Sequence, residues 1–456
     1  MIHHFHPSIL REYDIRGPVG SLLGHDDAHA VGRSFATRVR RAGGGRVAVG
    51  RDGRLSSPEL EAALVEGLRT GGVDVVRIGL GPTPMLYHAE ATLGVDGGIQ
   101  VTGSHNPSGH NGFKLMLGHR SFFGDDVQDL ARLAAAGDWT EGAGTVQDVD
   151  IQGAYVSRLL DVRPVAARVG WDTGNGAAGP VIAALTARLP GGHHLLHAQV
   201  DGHFPNHHPD PSEEGNLADL KALVLERGLD CGFAFDGDGD RIGAVDGRGR
   251  AVRADLLLAL LAQPVLRDLP GATIIADVKS SAALFDRVCE LGGRPVMWKS
   301  GHSSIKSRML HEDAPIAGEL SGHIFFAHRW YGFDDAQYAA VRLLELLGET
   351  GATLADLVDA LPRYHATPEL RFAVDPASRV RVVDEVLARL AARGAAVERV
   401  DGARVTTADG WWLLRASNTE SLLTVRAEAR DEAGLARLLA EVDAQLAASG
   451  VERPPD

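Results

Sequence analysis

The chain has 456 residues, a formal net charge of −14, 44% hydrophobic residues and 23% charged residues. This length accommodates several domains, and the composition is that of a globular protein rather than a disordered or fibrous one. The acidic balance argues against a nucleic-acid partner, because binding a phosphate backbone needs a concentrated basic surface. No stretch has the pattern of a membrane span or a signal peptide, and two cysteines are too few for a disulfide framework. We therefore expect a cytoplasmic protein with neither a membrane nor a nucleic-acid partner.

Three segments repeat one pattern, in which a short apolar run ends in an aspartate and is followed by a loop and a helical stretch. The aspartates are Asp52, Asp172 and Asp277. Their intervals of roughly 110 residues favour repeated α/β domains over a solenoid of short repeats. The helix after Asp52 has Ser57 as its expected N-cap and Pro58 at its first position.

The last part of the chain has a different pattern. Strands are predicted near residues 369–374, 403–407, 411–415 and 422–428, with helices starting near residues 379 and 432, which is typical of a smaller α+β domain. Glycine-rich and polar breaks set the boundaries. We predict three similar α/β domains with mixed sheets, followed by an α+β domain, over residues 1–147, 148–250, 251–362 and 363–456.

The first loop with candidate chemistry contains Ser104, within Thr102-Gly103-Ser104-His105-Asn106-Pro107, and precedes Lys114. A serine at a strand end, with glycine, histidine and lysine nearby, is a candidate nucleophile or phosphoryl carrier. The competing interpretation is a turn serine that bonds its own backbone. The motif alone does not decide between them.

The second loop carries Asp236, Asp238 and Asp240, which alternate with glycines after the apolar run at 231–235. Three carboxylates at this spacing can converge on one hard cation, for which Mg²⁺ is the natural candidate. An EF-hand starts similarly but requires glycine at its sixth position and glutamate at its twelfth, where this chain has Arg241 and Gly247. A solvated acidic turn is disfavoured because crowded carboxylates repel one another.

Two later loops carry polar groups suited to a phosphorylated, hydroxylated ligand. One contains Glu319, Ser321 and His323, any of which could instead cap a helix. The other is Arg415-Ala416-Ser417-Asn418-Thr419-Glu420, followed by Arg426, and is either a phosphate-binding loop or a plain hairpin turn. Neither loop is decisive alone.

Together the four loops resemble the α-D-phosphohexomutase superfamily, and specifically its bacterial phosphomannomutase/phosphoglucomutase branch. The resemblance runs over nearly the whole chain and includes residues 11–17, 204–211 and 330–335. It implies four domains around a central active-site cleft. One departure is Ser421, where the family usually has a proline; it puts the rigidity of the last loop in doubt.

The resemblance also implies roles for individual residues. Ser104 matches the phosphoserine and, with Asp236, Asp238 and Asp240, the ligands of one Mg²⁺ per chain. Glu319 and Ser321 match the sugar-hydroxyl contacts, and Arg415, Ser417, Asn418 and Thr419 match the distal phosphate site. Other positions that match active-site groups are Tyr13, Arg16, His105, Lys114, Arg241, Lys279, His302, His323 and Arg426.

The implied reaction is the reversible movement of a phosphoryl group between the 1- and 6-positions of mannose or glucose phosphate. It passes through a hexose 1,6-bisphosphate, which also serves as activator. The catalytic set comprises Ser104, Lys114, Arg241 and His323, with His323 or Lys114 as the acid/base. The expected partner is a small sugar phosphate, and the expected state is a monomer or weak dimer.

Three alternatives remain open at this point. Phosphoglucosamine mutases carry a loop closely related to residues 319–323. A nicotinamide-dependent oxidoreductase would explain Gly174-Asn175-Gly176-Ala177-Ala178-Gly179 and the later Asp201, but leaves the other loops unexplained. A non-catalytic sugar-phosphate binding protein would use the same loops without phosphorylating Ser104.

Overall fold

The described part of the chain forms four successive β-sheets, each built from one stretch of sequence. The computed structural model describes residues 2–375, 378–417 and 422–453. The first three sheets combine parallel and antiparallel pairs, and the described strands of the fourth are all antiparallel. The predicted fold class, three mixed α/β units followed by a smaller α+β unit, is confirmed.

The first unit begins with a 3₁₀ turn at Pro7–Ile9 and ends with a short edge strand. Its elements are β1 (Ile15–Pro18), α1 (His25–Arg41), β2 (Arg46–Arg51), α2 (Ser57–Thr70), β3 (Asp74–Leu80), α3 (Thr83–Thr92), β4 (Gly97–Val101), β5 (His110–Leu117), β6 (Arg120–Phe122), α4 (Asp125–Ala136) and β7 (Val146–Asp148). The strand order is β1-β5-β4-β2-β3-β7, with β6 paired to β5.

The second and third units each contain a five-stranded sheet. The second unit has α5 (Gln152–Leu159), β8 (Ala167–Asp172), α6 (Gly179–Thr186), β9 (Gly191–Leu196), a 3₁₀ turn (Glu214–Leu217), α7 (Ala218–Arg227), β10 (Cys231–Phe235), β11 (Ile242–Asp246) and β12 (Ala251–Val252). The third has α8 (Ala254–Asp268), β13 (Thr273–Asp277), α9 (Ala282–Glu290), β14 (Arg294–Trp298), α10 (His302–Glu312), β15 (Ile316–Gly318), β16 (Ile324–Phe326), β17 (Phe333–Asp334), α11 (Ala336–Thr350) and α12 (Leu354–Asp359). The orders are β12-β11-β10-β8-β9 and β14-β13-β15-β16-β17.

The described residues of the fourth unit form two helices packed on an antiparallel sheet. Its elements are β18 (His365–Ala366), β19 (Leu370–Ala373), α13 (Ser378–Ala392), β20 (Ala396–Glu398), β21 (Ala403–Thr406), β22 (Gly410–Ala416), β23 (Leu422–Ala429) and α14 (Glu432–Ala447). The four strands expected from the sequence lie within a residue or two of their predicted bounds. The two short strands β18 and β20 were not predicted.

The first three units share one local topology. In each, a strand that ends at or next to a repeated aspartate (β2, β8, β13) lies between two parallel neighbours. The second of these neighbours (β4, β10, β15) pairs antiparallel with the next strand along the chain (β5, β11, β16). The connections at residues 102–109, 236–241 and 319–323 therefore occupy equivalent positions, at the carboxyl ends of the parallel strands where α/β folds bind ligands.

Apolar packing joins the first three units and leaves the fourth with a core of its own. The largest buried cluster runs from Ala48 to Leu361 and takes in all three α/β units, whereas the cluster of the fourth unit lies within residues 372–446. A small contact between Val278, Trp411 and Leu413 links the fourth unit to the third. No helix in the described ranges is long and apolar enough to cross a membrane.

Candidate active site

Ser104 lies between β4 and β5 in a left-handed backbone conformation (φ +48°) that few non-glycine residues adopt. Its amide donates to Thr102 Oγ1 (2.8 Å), and its hydroxyl donates to Asp236 Oδ2 (2.9 Å). His105 Nδ1 lies 3.3 Å from the same hydroxyl. Such conformations persist only where neighbouring groups enforce them, and they cluster at functional sites. The loop therefore directs the Ser104 hydroxyl, which belongs to the first unit, at the aspartate loop of the second unit.

Arg54 holds the shape of this loop, although sequence analysis gave it no role. Its buried guanidinium donates to the backbone carbonyls of Ser104, Asn106 and Pro107, each at 2.6 Å, and to that of His110 at 3.0 Å. A guanidinium presents five donors in a fixed plane, so one side chain can bind several carbonyls together. The sequence gives no signal for this role, because all four carbonyls belong to backbone about 50 residues further along the chain.

Asp52 binds the other side of the loop. Its Oδ2 accepts from the Thr102 hydroxyl (2.8 Å) and the Gly103 amide (3.2 Å), and lies 3.2 Å from Arg54 Nε. The hydroxyl of Ser57 donates to Asp52 Oδ1 at 2.5 Å. Ser57 is therefore the first residue of α2 rather than its N-cap, and the predicted cap was wrong by one residue.

Replacing Arg54 with methionine should lower kcat about 100-fold, because displacement of a reacting group by about 1 Å has an effect of that size. It should also lower the free energy of unfolding by about 3 kcal/mol, since buried Asp52 loses its ionic partner. Arg54→Lys should recover part of the stability but little of kcat, because one ammonium cannot bind four carbonyls. Steady-state kinetics and urea unfolding provide the measurements.

The half-buried Arg51, which pairs with Glu61 at 3.0 Å, offers the matched control. Arg51→Met should keep nearly full kcat. If Arg54→Met had the kcat of the wild type, the conformation of the Ser104 loop would not depend on the Arg54 guanidinium.

Asp236, Asp238 and Asp240 converge after β10. One oxygen from each lies within 4.8 Å of the others, and all three residues are 0% exposed. Asp238 Oδ2 accepts from Lys114 Nζ (2.8 Å) and from the Thr83 hydroxyl (2.5 Å), and Lys114 also contacts Asp240. Oδ1 of both Asp238 and Asp240 is buried with no hydrogen-bond partner among the described residues. Unpartnered carboxylate oxygens of this kind are ligands for a hard divalent cation.

In the aspartate loop, the buried charged groups shift one another's pKa values. Burial, and then the charges of Asp238 and Asp240, raise the pKa of Asp236 well above its ordinary value. Burial acts in the same direction on Asp238, but the ammonium of Lys114 outweighs it and lowers the pKa of Asp238. Burial opposes the charge of Lys114, yet the two carboxylates raise its pKa overall. A divalent cation would offset the carboxylate repulsion, so this donor set fits one Mg²⁺.

Arg241 connects the aspartate loop with the third unit. Its Nε–H donates to His323 Nε2 at 3.0 Å. His323 Nδ1 lies 2.8 Å from Asp334 Oδ2 and 3.6 Å from Asp240 Oδ1, and Lys306 Nζ donates to Asp334 Oδ1 at 3.0 Å. Because Nε2 accepts a hydrogen bond from Arg241, the proton of a neutral His323 ring resides on Nδ1. Protein groups therefore face both nitrogens of His323.

Glu319 and Ser321 lie in the equivalent loop of the third unit, after β15. Glu319 is buried and its Oε1 accepts from the amide of Gly301 at 2.5 Å, while Ser321 is half-buried. Burial raises the pKa of Glu319. Asp277 Oδ1 accepts from the amide of Leu320 at 3.2 Å, so a repeated aspartate supports this loop as another supports the Ser104 loop.

His105 and His302 are imidazoles whose pKa values lie well below the ordinary value. Burial is the main cause for both, followed by the charge of Arg241 for His105 and of Lys306 for His302. The ring of His302 stacks on that of His323 with centroids 5.5 Å apart. Both residues are therefore neutral near pH 7 and can offer hydrogen bonds rather than ionic contacts to a ligand.

A series of hydrogen bonds through Ser300 connects the first, third and fourth units. The Tyr13 hydroxyl donates to the Ser300 carbonyl (2.8 Å), and the Ser300 amide donates to Asp401 Oδ2 (3.1 Å). Asp401 Oδ2 also lies 3.0 Å from Arg415 Nη2. Arg415 Nε is buried without a hydrogen-bond partner among the described residues, so this arginine has a donor left for a ligand.

The other predicted residue of the fourth loop that the structure describes is Ser417. It is buried, and its carbonyl accepts from Arg379 Nη1 at 2.7 Å. The predicted site residues Asn418 and Thr419, and the departure at Ser421, lie outside the described residues.

Three more predicted residues lie at two different places. Arg16 is beside the Ser104 loop, where Nη1 donates to Asn106 Oδ1 at 3.2 Å. Lys279 and Arg426 lie where the third and fourth units meet: Lys279 Nζ is 3.4 Å from Glu369 Oε2, and Arg426 donates to the Lys279 carbonyl. Arg16 is therefore near the Ser104 loop, and the other two lie at the contact between the third and fourth units.

The glycines at 174–179, which suggested a dinucleotide site, are tightly packed. A Cβ on Gly176 would lie 2.8 Å from the Gly237 carbonyl, and one on Gly179 would lie 2.1 Å from the Ala198 carbonyl. These glycines allow α6 to approach the aspartate loop and the chain after β9. Close packing accounts for them without a bound dinucleotide.

Four domain models of one family match the chain in order. They are described as phosphoglucomutase/phosphomannomutase, and they match residues 7–139 (alpha/beta/alpha domain I), 154–249 (domain II), 253–364 (domain III) and 369–445 (C-terminal domain). Each of the four candidate loops falls within a different model.

Similar proteins match over almost their whole length. A phosphomannomutase/phosphoglucomutase of Pseudomonas syringae pv. tomato is 43% identical over 442 residues, covering 96% of this chain and 95% of the relative. A phosphoglucomutase of Neisseria gonorrhoeae is 41% identical over 438 residues, covering 94% and 95%. The crystal structure of a phosphoglucomutase/phosphomannomutase family protein from Burkholderia thailandensis superposes with a TM-score of 0.93 at 42% identity and covers 98% of both chains.

Proposed function

The chain belongs to the phosphoglucomutase/phosphomannomutase family, and from this premise we propose that it interconverts hexose 1- and 6-phosphates through a phosphorylated Ser104. The observation that carries the proposal is the contact between Ser104 Oγ and Asp236 Oδ2 at 2.9 Å. It joins the candidate phosphoryl acceptor to the candidate metal loop, although the two residues are 132 positions apart in the chain.

Ser104, Asp236, Asp238 and Asp240 would hold one Mg²⁺. The buried, unpartnered oxygens of Asp238 and Asp240 and the raised pKa of Asp236 support this assignment. When bound, Mg²⁺ would stabilise negative charge on the transferring phosphoryl group.

Phosphoryl transfer depends mainly on positioning and on charge stabilisation, and the chain's own cations supply both. Lys114 and Arg241 lie beside the aspartate loop and would neutralise charge on the phosphoryl oxygens. His323 and Lys114 are the candidates for moving the proton of the sugar hydroxyl. The raised pKa of Lys114 keeps its ammonium protonated near pH 7, so Lys114 would act mainly through its charge and only weakly as a proton donor. For His323, Asp334 fixes the tautomer and Arg241 occupies Nε2, so a role as base requires Arg241 to release this nitrogen.

The substrate would bind between the third and fourth loops. Arg415, with its unpartnered Nε, supports a site for the phosphate that does not react, together with Ser417, Asn418 and Thr419. Glu319 and Ser321 would bind sugar hydroxyls. The remaining contacts to the phosphorylated sugar would come from Tyr13, Arg16, His105, Lys279, His302 and Arg426.

A hexose 1,6-bisphosphate would form when phospho-Ser104 passes its phosphoryl group to the free sugar hydroxyl. The bond between Ser104 Oγ and phosphorus breaks, the sugar oxygen bonds to phosphorus, the hydroxyl proton leaves to a base, and Ser104 Oγ takes up a proton. The intermediate would then reverse its orientation and return its other phosphate to Ser104. The same bisphosphate, supplied from outside, would rephosphorylate an enzyme that has lost its phosphate.

The sugar preference is proposed from the names of the relatives, which are phosphomannomutases and phosphoglucomutases. We propose mannose and glucose phosphates as substrates, with glucosamine phosphate as the alternative. A cytoplasmic location and a monomeric or weakly dimeric state stay predictions.

A coupled assay with mannose, glucose and glucosamine 1-phosphates tests this proposal. We expect turnover of the mannose and glucose compounds, dependent on Mg²⁺ and stimulated by glucose 1,6-bisphosphate. Intact-mass analysis should find one phosphoryl group on the protein. Absence of turnover with all three sugars, together with an unmodified mass after incubation with the bisphosphate, would favour a non-catalytic sugar-phosphate binding protein instead.

A further inference from the structure

A second cluster of metal-ligating side chains lies outside the aspartate loop. Asp172 ends β8, His197 follows the parallel neighbour β9, and His207 lies in the following loop. One ligand atom from each lies within 4.8 Å of the other two. Asp172 Oδ2 and His207 Nε2 are 2.9 Å apart. The Mg²⁺ site described above uses none of these three residues.

Hydrogen bonds fix the outer side of each of these groups. His207 Nδ1 lies 3.0 Å from the backbone carbonyl of His208, and Asp172 Oδ1 accepts from the amide of Gly174 at 2.9 Å. His197 Nε2 lies 3.0 Å from the carboxylate of Asp219. Carbonyl and carboxylate partners of this kind orient the histidines that bind metals in proteins.

The hydrogen bonds of His207 require a further proton or a cation between His207 and Asp172. A carbonyl can only accept, so the contact with His208 requires a proton on Nδ1 of His207. In the neutral ring Nε2 is then an acceptor, yet it faces a second acceptor, Asp172 Oδ2, at 2.9 Å. Either a second ring proton or a cation must lie between these two atoms. Asp172 is 0% exposed, so leaving both acceptors unmatched would be costly.

We propose that Asp172, His197 and His207 bind a transition-metal cation of the Zn²⁺ class. Two imidazoles and one carboxylate form a donor set typical of Zn²⁺, with a fourth position for water, whereas Mg²⁺ prefers oxygen ligands alone. Ligand atoms on a tetrahedral Zn²⁺ lie about 3.3 Å apart, so His197 must move inward by at most about 1.5 Å to complete the set. The side chains of His197 and His207 are 15% exposed, which leaves a path for the ion.

A cation bound at this cluster would affect the aspartate loop. The loop that carries His207 continues into Pro209, which lies next to Gly237 in the aspartate loop: a Cβ on Gly237 would be 3.5 Å from Pro209 Cγ. A cation that joins the ends of β8 and β9 to this loop would stiffen the wall behind the Mg²⁺ site. Zn²⁺ and a second proton compete for the same nitrogen of His207.

The test is Zn²⁺ binding to the full-length protein in saturating Mg²⁺, so that the aspartate loop is occupied. Isothermal titration should show one Zn²⁺ equivalent in the wild type that is weakened at least about 10-fold in His197→Ala, because one of three protein ligands is lost. Co²⁺ should give the intense visible absorption of a tetrahedral, histidine-ligated ion, and His197→Ala should lose it.

His203→Ala is the matched control, because His203 is exposed in the same loop and outside the cluster. The histidines near the N-terminus are present in all three proteins, so any Zn²⁺ that they bind cancels in the comparison. Thermal unfolding without metal shows whether His197→Ala is folded, since its side chain lies near the surface. Equal Zn²⁺ affinity and stoichiometry in the wild type and His197→Ala, or an equal loss in His203→Ala, would overturn the proposal.

Discussion

Replacing Ser104 with alanine is expected to lower mutase turnover by at least about 1,000-fold, the scale seen when a covalent nucleophile is removed. The variant has no atom that can accept the phosphoryl group. Its fold should persist, because the residue 104 carbonyl still accepts from Arg54 and the residue 104 amide still donates to Thr102 Oγ1, neither of which involves the hydroxyl. A coupled assay measures turnover, and thermal unfolding measures stability.

Intact mass gives a second readout for Ser104. The wild type should gain one phosphoryl group from glucose 1,6-bisphosphate, and Ser104→Ala should gain none. Ser108 is exposed in the same loop and provides the matched control; Ser108→Ala should be phosphorylated and active. Turnover near the wild-type rate in Ser104→Ala would remove this serine from the mechanism.

Asp238→Asn is the second substitution expected to cause a large loss of turnover. The change keeps the shape of the side chain but removes one charge and one of the buried, unpartnered oxygens available to Mg²⁺. We expect turnover to fall about 100-fold or more, as when a preorganised electrostatic group is lost. Titration calorimetry should show weakened Mg²⁺ binding in parallel with the loss of activity.

Stability offers a readout of the same site that is independent of turnover. A ligand that binds the native state at 100 times its Kd stabilises it by about 2.7 kcal/mol, so Mg²⁺ should raise the Tm of the wild type and raise that of Asp238→Asn much less. Asp230→Asn, at the exposed end preceding β10, is the control and should respond to Mg²⁺ like the wild type. An unchanged Mg²⁺ affinity in Asp238→Asn would show that the ion binds elsewhere.

The sequence predicted those parts of the site that are encoded locally. The three alternating aspartates and the serine between glycine and histidine each stand within a few consecutive residues, and the strands that carry them are continuous apolar runs. The architecture followed from the three aspartate-ending runs and from the change of pattern after residue 362.

The parts that could not be predicted depend on contacts between distant segments. Arg54 acts on carbonyls, which every residue has, so no residue type marks its partners. Asp334 contacts His323 across neighbouring strands of the third unit, and Asp401 joins Arg415 to the Ser300 amide of the third unit, so neither role is marked by adjacent residues in the chain. The shift of the helix start at Ser57 has a similar origin, because Asp52 attracts the hydroxyl that an N-cap would have used.

The three equivalent loops of the first three units would each contribute a different part of the reaction. In the proposed mechanism, the equivalent loop would accept the phosphoryl group in the first unit, bind the metal ion in the second and contact the sugar hydroxyls in the third. If each task has its own loop, substitutions at residues 319–323 would change which sugar epimer is accepted while leaving the Ser104 and aspartate loops, which would transfer the phosphoryl group, unaltered.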